Sequence, residues 1–363
     1  MKDKQLLPYI KEAEKKWSFL YSFNLRTIRD IFIFVAREPI SKQNLYKKME
    51  ENIIKPPKNK WSDDKNKKID RLKLEYLHTC TFLNLVFQDK TNNLLTVTFE
   101  DFKEEKEILI RENENRNFYS ESESLDLNEV EKKAILPIIL SYHRAKEYLW
   151  WFTDSSNKKI SEINLEYVSN FGKPFYLKKD SGSKGARMMY KLIDNQEWII
   201  PFEEKEKEGK IVLENDYSRL VTSVLPNWFS DLGIINRIPI IKEFEFKVGN
   251  WEMHYPISQV NLTVDEFESF IQKKFIDKRK SYNAIWIPII IYETILEYRL
   301  SVKVIKELII KIYEEKKPKY MMERSSFEVL RYSAESQKNK GNIHQELFII
   351  YKDFLRTFLI INN

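Results

Sequence analysis

The chain has 363 residues, of which 42% are apolar and 14% aromatic, enough for two or three packed cores and too many for a disordered chain. Its formal net charge is only +6, so the distribution of charge along the sequence is more informative than the total. The single cysteine, Cys80, excludes an internal disulfide and a cysteine-based zinc site, and we expect it to be a small buried residue.

The sequence predicts neither a secretory signal nor a membrane span. Its first residues, MKDKQLLPYIKEAEKK, have no apolar stretch of signal-peptide length. The longest apolar run, residues 285–292, contains Pro288 and stops at Glu293, whereas a span needs roughly 20 apolar residues. We therefore expect a cytoplasmic protein with no membrane partner.

Three helices and a hairpin are predicted near the N-terminus. Residues 23–39 have apolar residues at helical spacing, with Arg26, Arg29 and Asp30 on the opposite side. Ser41 is typical of the N-cap of a second helix, and a third helix is predicted over residues 67–84. Residues 85–99 are two β-rich runs around an Asn-Asn turn, which predicts a hairpin.

This element order resembles that of winged-helix proteins over residues 18–100, and the resemblance rests on order and amphipathic pattern alone. It implies a basic winged-helix-like domain whose second and third helices and hairpin face DNA, with the third helix in the major groove.

The rest of the chain predicts three further regions. Residues 101–127 are interpreted as an acidic linker, because residues 100–131 hold twelve acidic and four basic residues. Residues 128–259 predict a mixed α/β middle domain, in which a helix and a Gly-Asn hairpin within 214–257 indicate a second winged-helix-like unit. Residues 260–363 predict a helical C-terminal domain that includes residues 344–360, with a capping box at Thr263 and Glu266. The predicted class is α+β, mainly helical.

The first candidate site is the basic stretch 42–73, with eleven lysines and arginines against five acids. Cations in the loop before the third helix and along its first turns are suited to phosphates, and Trp61 and Asn66 are suited to a stacking or base contact. The alternative is a solvated lysine-rich face. The predicted DNA-contacting residues are Lys60, Trp61, Lys65, Asn66, Lys67, Lys68, Arg71 and Lys73.

The second candidate is the loop DSGSKGAR, residues 180–187, whose glycines and serines expose backbone N–H groups between flanking cations. It lacks the spacing of a nucleotide-binding P-loop, so we predict a DNA-backbone contact, with an ordinary hairpin turn as the alternative. The predicted contacts are Lys178, Lys179, Ser181, Ser183, Lys184 and Arg187.

A third pattern admits a nuclease. Glu245 and Lys247 match part of the PD-(D/E)xK pattern, with Asp231 or Asp216 as the second carboxylate for Mg²⁺. The proline of that pattern is missing, and the exposed face of a strand explains the same residues. The four histidines are isolated, so the sequence predicts no metal site, no cofactor and no firm catalytic residue.

Two further clusters have open interpretations. The aromatic residues Tyr148, Trp150, Trp151 and Phe152 fit core packing better than base stacking. Near the C-terminus, cations from 316 to 331 predict a second basic face, with residues 324–331 as the recognition segment if the C-terminal helices form another helix-turn-helix. That face comprises Lys316, Lys317, Lys319, Arg324 and Arg331.

Three functions follow from these patterns. The first is a non-catalytic protein that binds double-stranded DNA, as a regulator or as the DNA-recognition subunit of a prokaryotic or mobile-element defence complex. The second is a tandem winged-helix adaptor that binds a protein partner or a second copy of itself. The third is the Mg²⁺-dependent nuclease.

Overall fold

The computed structural model describes most of the chain, with gaps. The described residues are 24–52, 64–89, 91–116, 126–153, 164–179, 189–193, 196–199, 205–207, 210–212, 220–241, 251–275, 284–324, 347–352 and 354–362. The fold is α+β and mainly helical, as the sequence predicts. None of the described helices is both long enough and apolar enough to cross a membrane.

The N-terminal unit, residues 24–96, contains three helices and three short strands. In chain order these are α1 (Leu25–Arg37), β1 (Ile40–Ser41), α2 (Lys42–Asn52), α3 (Asp64–Phe82), β2 (Phe87–Gln88) and β3 (Leu94–Thr96). The strands form an antiparallel sheet in the order β1-β3-β2. The three helices followed by a hairpin, on which the resemblance to winged helices rests, are therefore present.

Local signals in the sequence account for these elements. Asn24 caps α1 by accepting a hydrogen bond from the Arg26 amide, and Ser41 accepts one from the Asn44 amide at the start of α2. The predicted N-cap at Ser41 is confirmed. Cys80 on α3 is fully buried, as predicted.

The side of α1 that carries Arg29 and Asp30 does not face solvent. Both are buried, because α4 (Lys103–Glu112) and α5 (Glu129–Leu140) cover that side of the helix. Helix α4 also corrects the interpretation of 101–127 as a linker throughout. Its Leu109 lies in the core, and Lys106 donates a hydrogen bond to the Thr98 carbonyl.

The described residues in the middle of the chain form three more helices and a five-stranded antiparallel sheet. The elements are α6 (His143–Trp150), α7 (Leu165–Phe171), β4 (Phe175–Lys179), β5 (Met189–Ile193), β6 (Gln196–Ile199), the separate hairpin β7 (Lys205–Lys207) and β8 (Lys210–Val212), a π-helical turn (Leu220–Val224), α8 (Leu225–Asp231), β9 (Ile235–Pro239) and β10 (Trp251–Pro256). The order in the sheet is β6-β5-β4-β10-β9.

The described residues within 214–257 include the helix α8 and the strands β9 and β10, which pair with each other as part of a larger sheet. The described strands β9 and β10 complete the sheet of β4, β5 and β6, and β10 pairs with both β9 and β4. The Gly-Asn turn predicted at 249–250 lies outside the described residues. The aromatic residues of α6 and the turn after it are buried, so the core-packing interpretation is confirmed.

The C-terminal unit, residues 264–361, contains three helices and four strands. They are α9 (Val264–Phe275), β11 (Ala284–Trp286), α10 (Ile287–Tyr298), α11 (Val302–Glu315), β12 (Tyr320–Arg324), β13 (Ile349–Tyr351) and β14 (Phe354–Ile361). The predicted capping box is present, since the Thr263 amide donates to the Glu266 carboxylate and the Glu266 amide to the Thr263 hydroxyl.

The predicted helix over residues 344–360 is wrong for 349–360, which form the β13–β14 hairpin. The alternating face of β14 is buried at Thr357, Leu359 and Ile361, and its partners β11 and β12 come from distant parts of the chain. These long-range pairings make the segment a strand, although its apolar run also fits a helix.

The two units share one topology. Each has a helix, a strand that runs directly into a second helix, and a third helix; two described strands follow in the N-terminal unit and three in the C-terminal unit. In each sheet the last of these strands lies in the centre, in the orders β1-β3-β2 and β11-β14-β12. In the C-terminal unit α10 and α11 are joined by a short turn, in which Arg299 adopts a left-handed conformation after α10 and Ser301 caps α11.

Two hydrophobic cores lie along the chain. The first contains buried residues between 25 and 235, and the second those between 238 and 361, so strand β9 contributes to both. The N-terminal unit therefore shares its core with α4 to α8, while the C-terminal unit packs with β10.

Candidate nucleic-acid interface

Helix α2 turns an apolar side inward and a polar side outward. Leu45 and Met49 are fully buried against the N-terminal unit. Near the start of the helix Lys42 and Asn44 are exposed, and Lys47 is exposed one turn later. The exposed side thus carries cations and an amide near its start, groups with which proteins contact phosphates, and two acids near its end.

Helix α3 provides the positions predicted to face DNA. Its core stripe contains Tyr76, Leu77 and Cys80, all buried. A residue on a helix lies on the same stripe as those three and four positions away. Positions 67 and 71 of α3 therefore lie on the same stripe as positions 74, 78 and 81. Thr81, on that stripe, is exposed.

The predicted residues of this stretch fall into three groups. Lys60 and Trp61 lie outside the described residues. Five occupy the first two turns of α3, where the structure describes the backbone. These five are Lys65, Asn66, Lys67, Lys68 and Arg71.

Lys73 belongs to the interior and is the correction within this set. Its side chain is buried, its ammonium forms an ion pair with Glu50, and it lies 5.5 Å from the centre of the Tyr46 ring. Because its charge is compensated between α2 and α3, Lys73 stabilises their packing and is not placed for a phosphate contact.

The electrostatics of His78 link the two helices. Burial lowers the pKa of His78, and the nearby positive charge of Lys42 lowers it further. The ammonium at the start of α2 thus acts on a side chain of α3.

A groove of about 420 Å³ runs beside β1 and α2. Its charges are mixed, because Lys48 forms a 2.7 Å ion pair with Glu38 within it. The lining residues are Glu38, Pro39, Ile40, Ser41, Asn44, Lys47, Lys48, Glu51 and Leu94.

The hairpin between β2 and β3 has a polar tip held by its own side chains. The Asp89 carboxylate accepts from the Thr91 amide, and the Asn92 side chain accepts from the Leu94 amide. Asn93 adopts a left-handed conformation, at φ 59°, which asparagine tolerates better than most residues. The predicted Asn-Asn turn is therefore present.

The second predicted patch is described only in part. Lys178 and Lys179 end β4, opposite Tyr190 and Met189 of β5. The loop residues Ser181, Ser183, Lys184 and Arg187 lie outside the described residues.

Of the nuclease candidates, only Asp231 is described; Asp216, Glu245 and Lys247 lie outside the described residues. The Asp231 carboxylate accepts a 3.1 Å hydrogen bond from the Leu25 amide, the first residue of α1. Burial raises its pKa to about 6. Asp231 thus supplies an acceptor for the first amide of α1, while burial disfavours its negative charge. Among the described residues no three His, Cys, Asp or Glu side chains cluster as metal ligands.

Two cations of the predicted C-terminal basic face form ion pairs within the protein. Lys316 forms ion pairs with Asp265 and Glu268, and Lys319 with Glu268. Arg324 ends β12, and Arg331 lies outside the described residues.

A buried charge network was missed by sequence reasoning. Arg29 contacts Glu131 at 3.0 Å and Asp30 at 2.9 Å, and Arg116 contacts Asp30 at 2.7 Å. Asn113 donates to Glu131 at 2.7 Å. The only signal in the sequence was the Asn128–Glu131 capping-box pattern, which predicts the start of α5 but not the arginine beneath it.

The comparisons provide no relative: no family model, no curated protein and no solved structure matches this chain.

Proposed function

We propose that the N-terminal unit binds double-stranded DNA, with α3 as the helix that enters the major groove and no catalytic chemistry of its own. The observation that carries this proposal is the coincidence of topology and charge. Residues 42–82, which include α2 and α3, hold eleven basic and six acidic residues. In helix-turn-helix proteins the corresponding two helices contact the backbone and the bases.

The C-terminal unit supports the same proposal by contrast. The corresponding span, residues 287–315, holds four basic and five acidic residues in the same topology. The positive charge of residues 42–82 is thus a local property of one unit. Local concentration of cations is what phosphate binding requires.

The test is a titration of labelled duplex and single-stranded DNA by fluorescence anisotropy at two salt concentrations, with and without Mg²⁺. The variant Lys67→Ala/Arg71→Ala removes two charges from α3. Its control, Lys103→Ala/Lys133→Ala, removes two charges from exposed positions on α4 and α5.

For duplex DNA we expect the α3 variant to bind about tenfold more weakly or worse, and its plot of log K against log salt to be shallower by about 1–2. The control is expected to bind like the wild type. Equal affinity of wild type and α3 variant, or binding that does not respond to salt, contradicts the proposal. Mg²⁺-dependent cleavage favours the nuclease hypothesis instead, and no binding favours the adaptor.

A further inference from the structure

The exposed side of α11 carries charges of alternating sign. Lys303, Glu307, Lys311 and Glu315 follow one another at intervals of four residues, and all four are exposed. Among the described residues, none of them has an ion-pair or hydrogen-bond partner. We call these four residues the α11 stripe.

Elsewhere in the protein, lysine and glutamate residues four positions apart contact each other. Lys47 and Glu51 of α2 lie 4.0 Å apart, and Lys103 and Glu107 of α4 lie 3.9 Å apart. Both are contacts within one helix. The α11 stripe has the same spacing and order of signs without the contacts, so its charges are available to a partner.

The α11 stripe is self-complementary about a two-fold axis. Residues four apart form a ridge along a helix, and two such ridges pack side by side when helices cross at about 50°. In an antiparallel arrangement centred between positions 307 and 311, Glu307 faces the partner's Lys311, and Lys303 faces the partner's Glu315. Every lysine then faces a glutamate, as an interface between identical surfaces requires.

An apolar contact is available beside these charges. Val304, next to Lys303, is 39% exposed although it is a large hydrophobic residue on a well-packed helix. The α11 stripe has no net charge, so a polyanion such as DNA gains nothing from it. A surface of identical composition fits it through both charge and apolar contact.

We propose that α11 is a self-association surface through which two copies of this chain form an antiparallel dimer. This inference goes beyond DNA binding and does not depend on it, since the α11 stripe and the basic α3 belong to different units. Individual surface ion pairs are weak, so we expect a dimer that dissociates at about micromolar to tens of micromolar concentrations.

The test is a charge exchange followed by sedimentation equilibrium of the full chain. The variant Lys303→Glu/Lys311→Glu makes the α11 stripe wholly acidic, and Glu307→Lys/Glu315→Lys makes it wholly basic. Each variant alone is expected to self-associate at least about tenfold more weakly than the wild type, because like charges now face each other. An equimolar mixture of the two is expected to recover dimers.

A matched control, Lys103→Glu/Lys133→Glu, changes the net charge as much as the acidic variant but on α4 and α5. It is expected to dimerise like the wild type. Circular dichroism checks that every variant is folded; all the substituted side chains are exposed. A wild type that stays monomeric at 100 µM or so, variants that dimerise like the wild type, or a mixture that does not recover dimers overturns the proposal.

Discussion

The N-terminal and C-terminal units share a topology but differ in what they bury and what they expose. The N-terminal unit and its α4–α5 cover bury a network of charges, including Arg29, Asp30 and Glu131. In the described residues 264–361 the buried polar side chains are two threonines, Thr294 and Thr357. Units of the same topology can therefore be stabilised with a buried charge network or with an almost entirely apolar interior.

The two units also differ in the net charge of their second and third helices. Residues 42–82 have five more basic than acidic residues, whereas residues 287–315 have one more acidic than basic residue. The comparison shows that topology alone does not specify a partner, because function depends on the side chains that a fold presents. It also explains why we propose DNA for one unit and a second copy of the chain for the other.

The largest effect is expected from breaking the charge network. Replacement of Arg29 by Met leaves Glu131 without its buried cation, which we expect to cost about 3–5 kcal/mol in urea unfolding. The control is Arg26→Met, because Arg26 pairs with the exposed Asp126 and such a pair contributes about 0–1 kcal/mol. Equal losses in the two variants would mean that the buried network does not stabilise this unit.

In the C-terminal unit, by the same comparison, we expect the loss of a buried apolar side chain to lower stability most. Ile309 of α11 is fully buried, so Ile309→Ala is expected to cost about 3–4 kcal/mol through lost contacts and a cavity. Val304→Ala on the exposed side of α11 is expected to change stability by about 0.5 kcal/mol or less. A small loss for Ile309→Ala would contradict the assignment of this core.

The first helix of each unit begins differently, and we therefore expect the stability of the two units to depend differently on pH. Asp231 caps α1 from outside the unit, and burial raises its pKa from the ordinary 3.8 to about 6. The folded state thus binds this proton more tightly than the unfolded state. Protonation of Asp231 therefore contributes roughly 2–3 kcal/mol to the free energy of unfolding. This contribution is full below pH 3.8 and is lost as the pH rises towards 6.

The measurement is urea unfolding of wild type and Asp231→Asn from pH 4 to pH 7. Asparagine retains an acceptor for the Leu25 amide but does not titrate, so the wild type is expected to lose stability relative to the variant over this range. In the C-terminal unit the start of α9 is local: hydrogen bonds from Thr263 hold the pKa of the exposed Glu266 below its usual value. A parallel pH response of the two proteins would contradict the role of Asp231.

The smallest expected effect concerns two serine caps, one in each unit. The Ser41 hydroxyl accepts from the Asn44 amide and the Ser301 hydroxyl from the Val304 amide, both at 3.3 Å. Each substitution by alanine is expected to cost about 1 kcal/mol in thermal or urea unfolding. Different losses at the two caps would show that the context of the units matters even for local interactions.

The sequence by itself predicts the elements whose signals are local. The amphipathic period gives α1, the caps give α2 and α9, and turn residues give the β2–β3 hairpin. The positive charge on which the DNA proposal rests is also read directly from the sequence. DNA binding by these residues stays a prediction. Such features depend on residues a few positions apart, so no knowledge of the fold is needed.

Only the tertiary structure decides features that depend on distant partners. Arg29 has the spacing of a surface residue and becomes buried because α4 and α5 cover it. Residues 349–361 fit a helix by composition and become strands because β14 pairs with β11 and β12. The shared topology of the two units likewise follows from strand pairings between segments up to 76 residues apart, such as Ala284 with Ile360. Contacts of this kind leave no periodic pattern in the sequence, because each strand and helix is compatible with several partners until the core is packed.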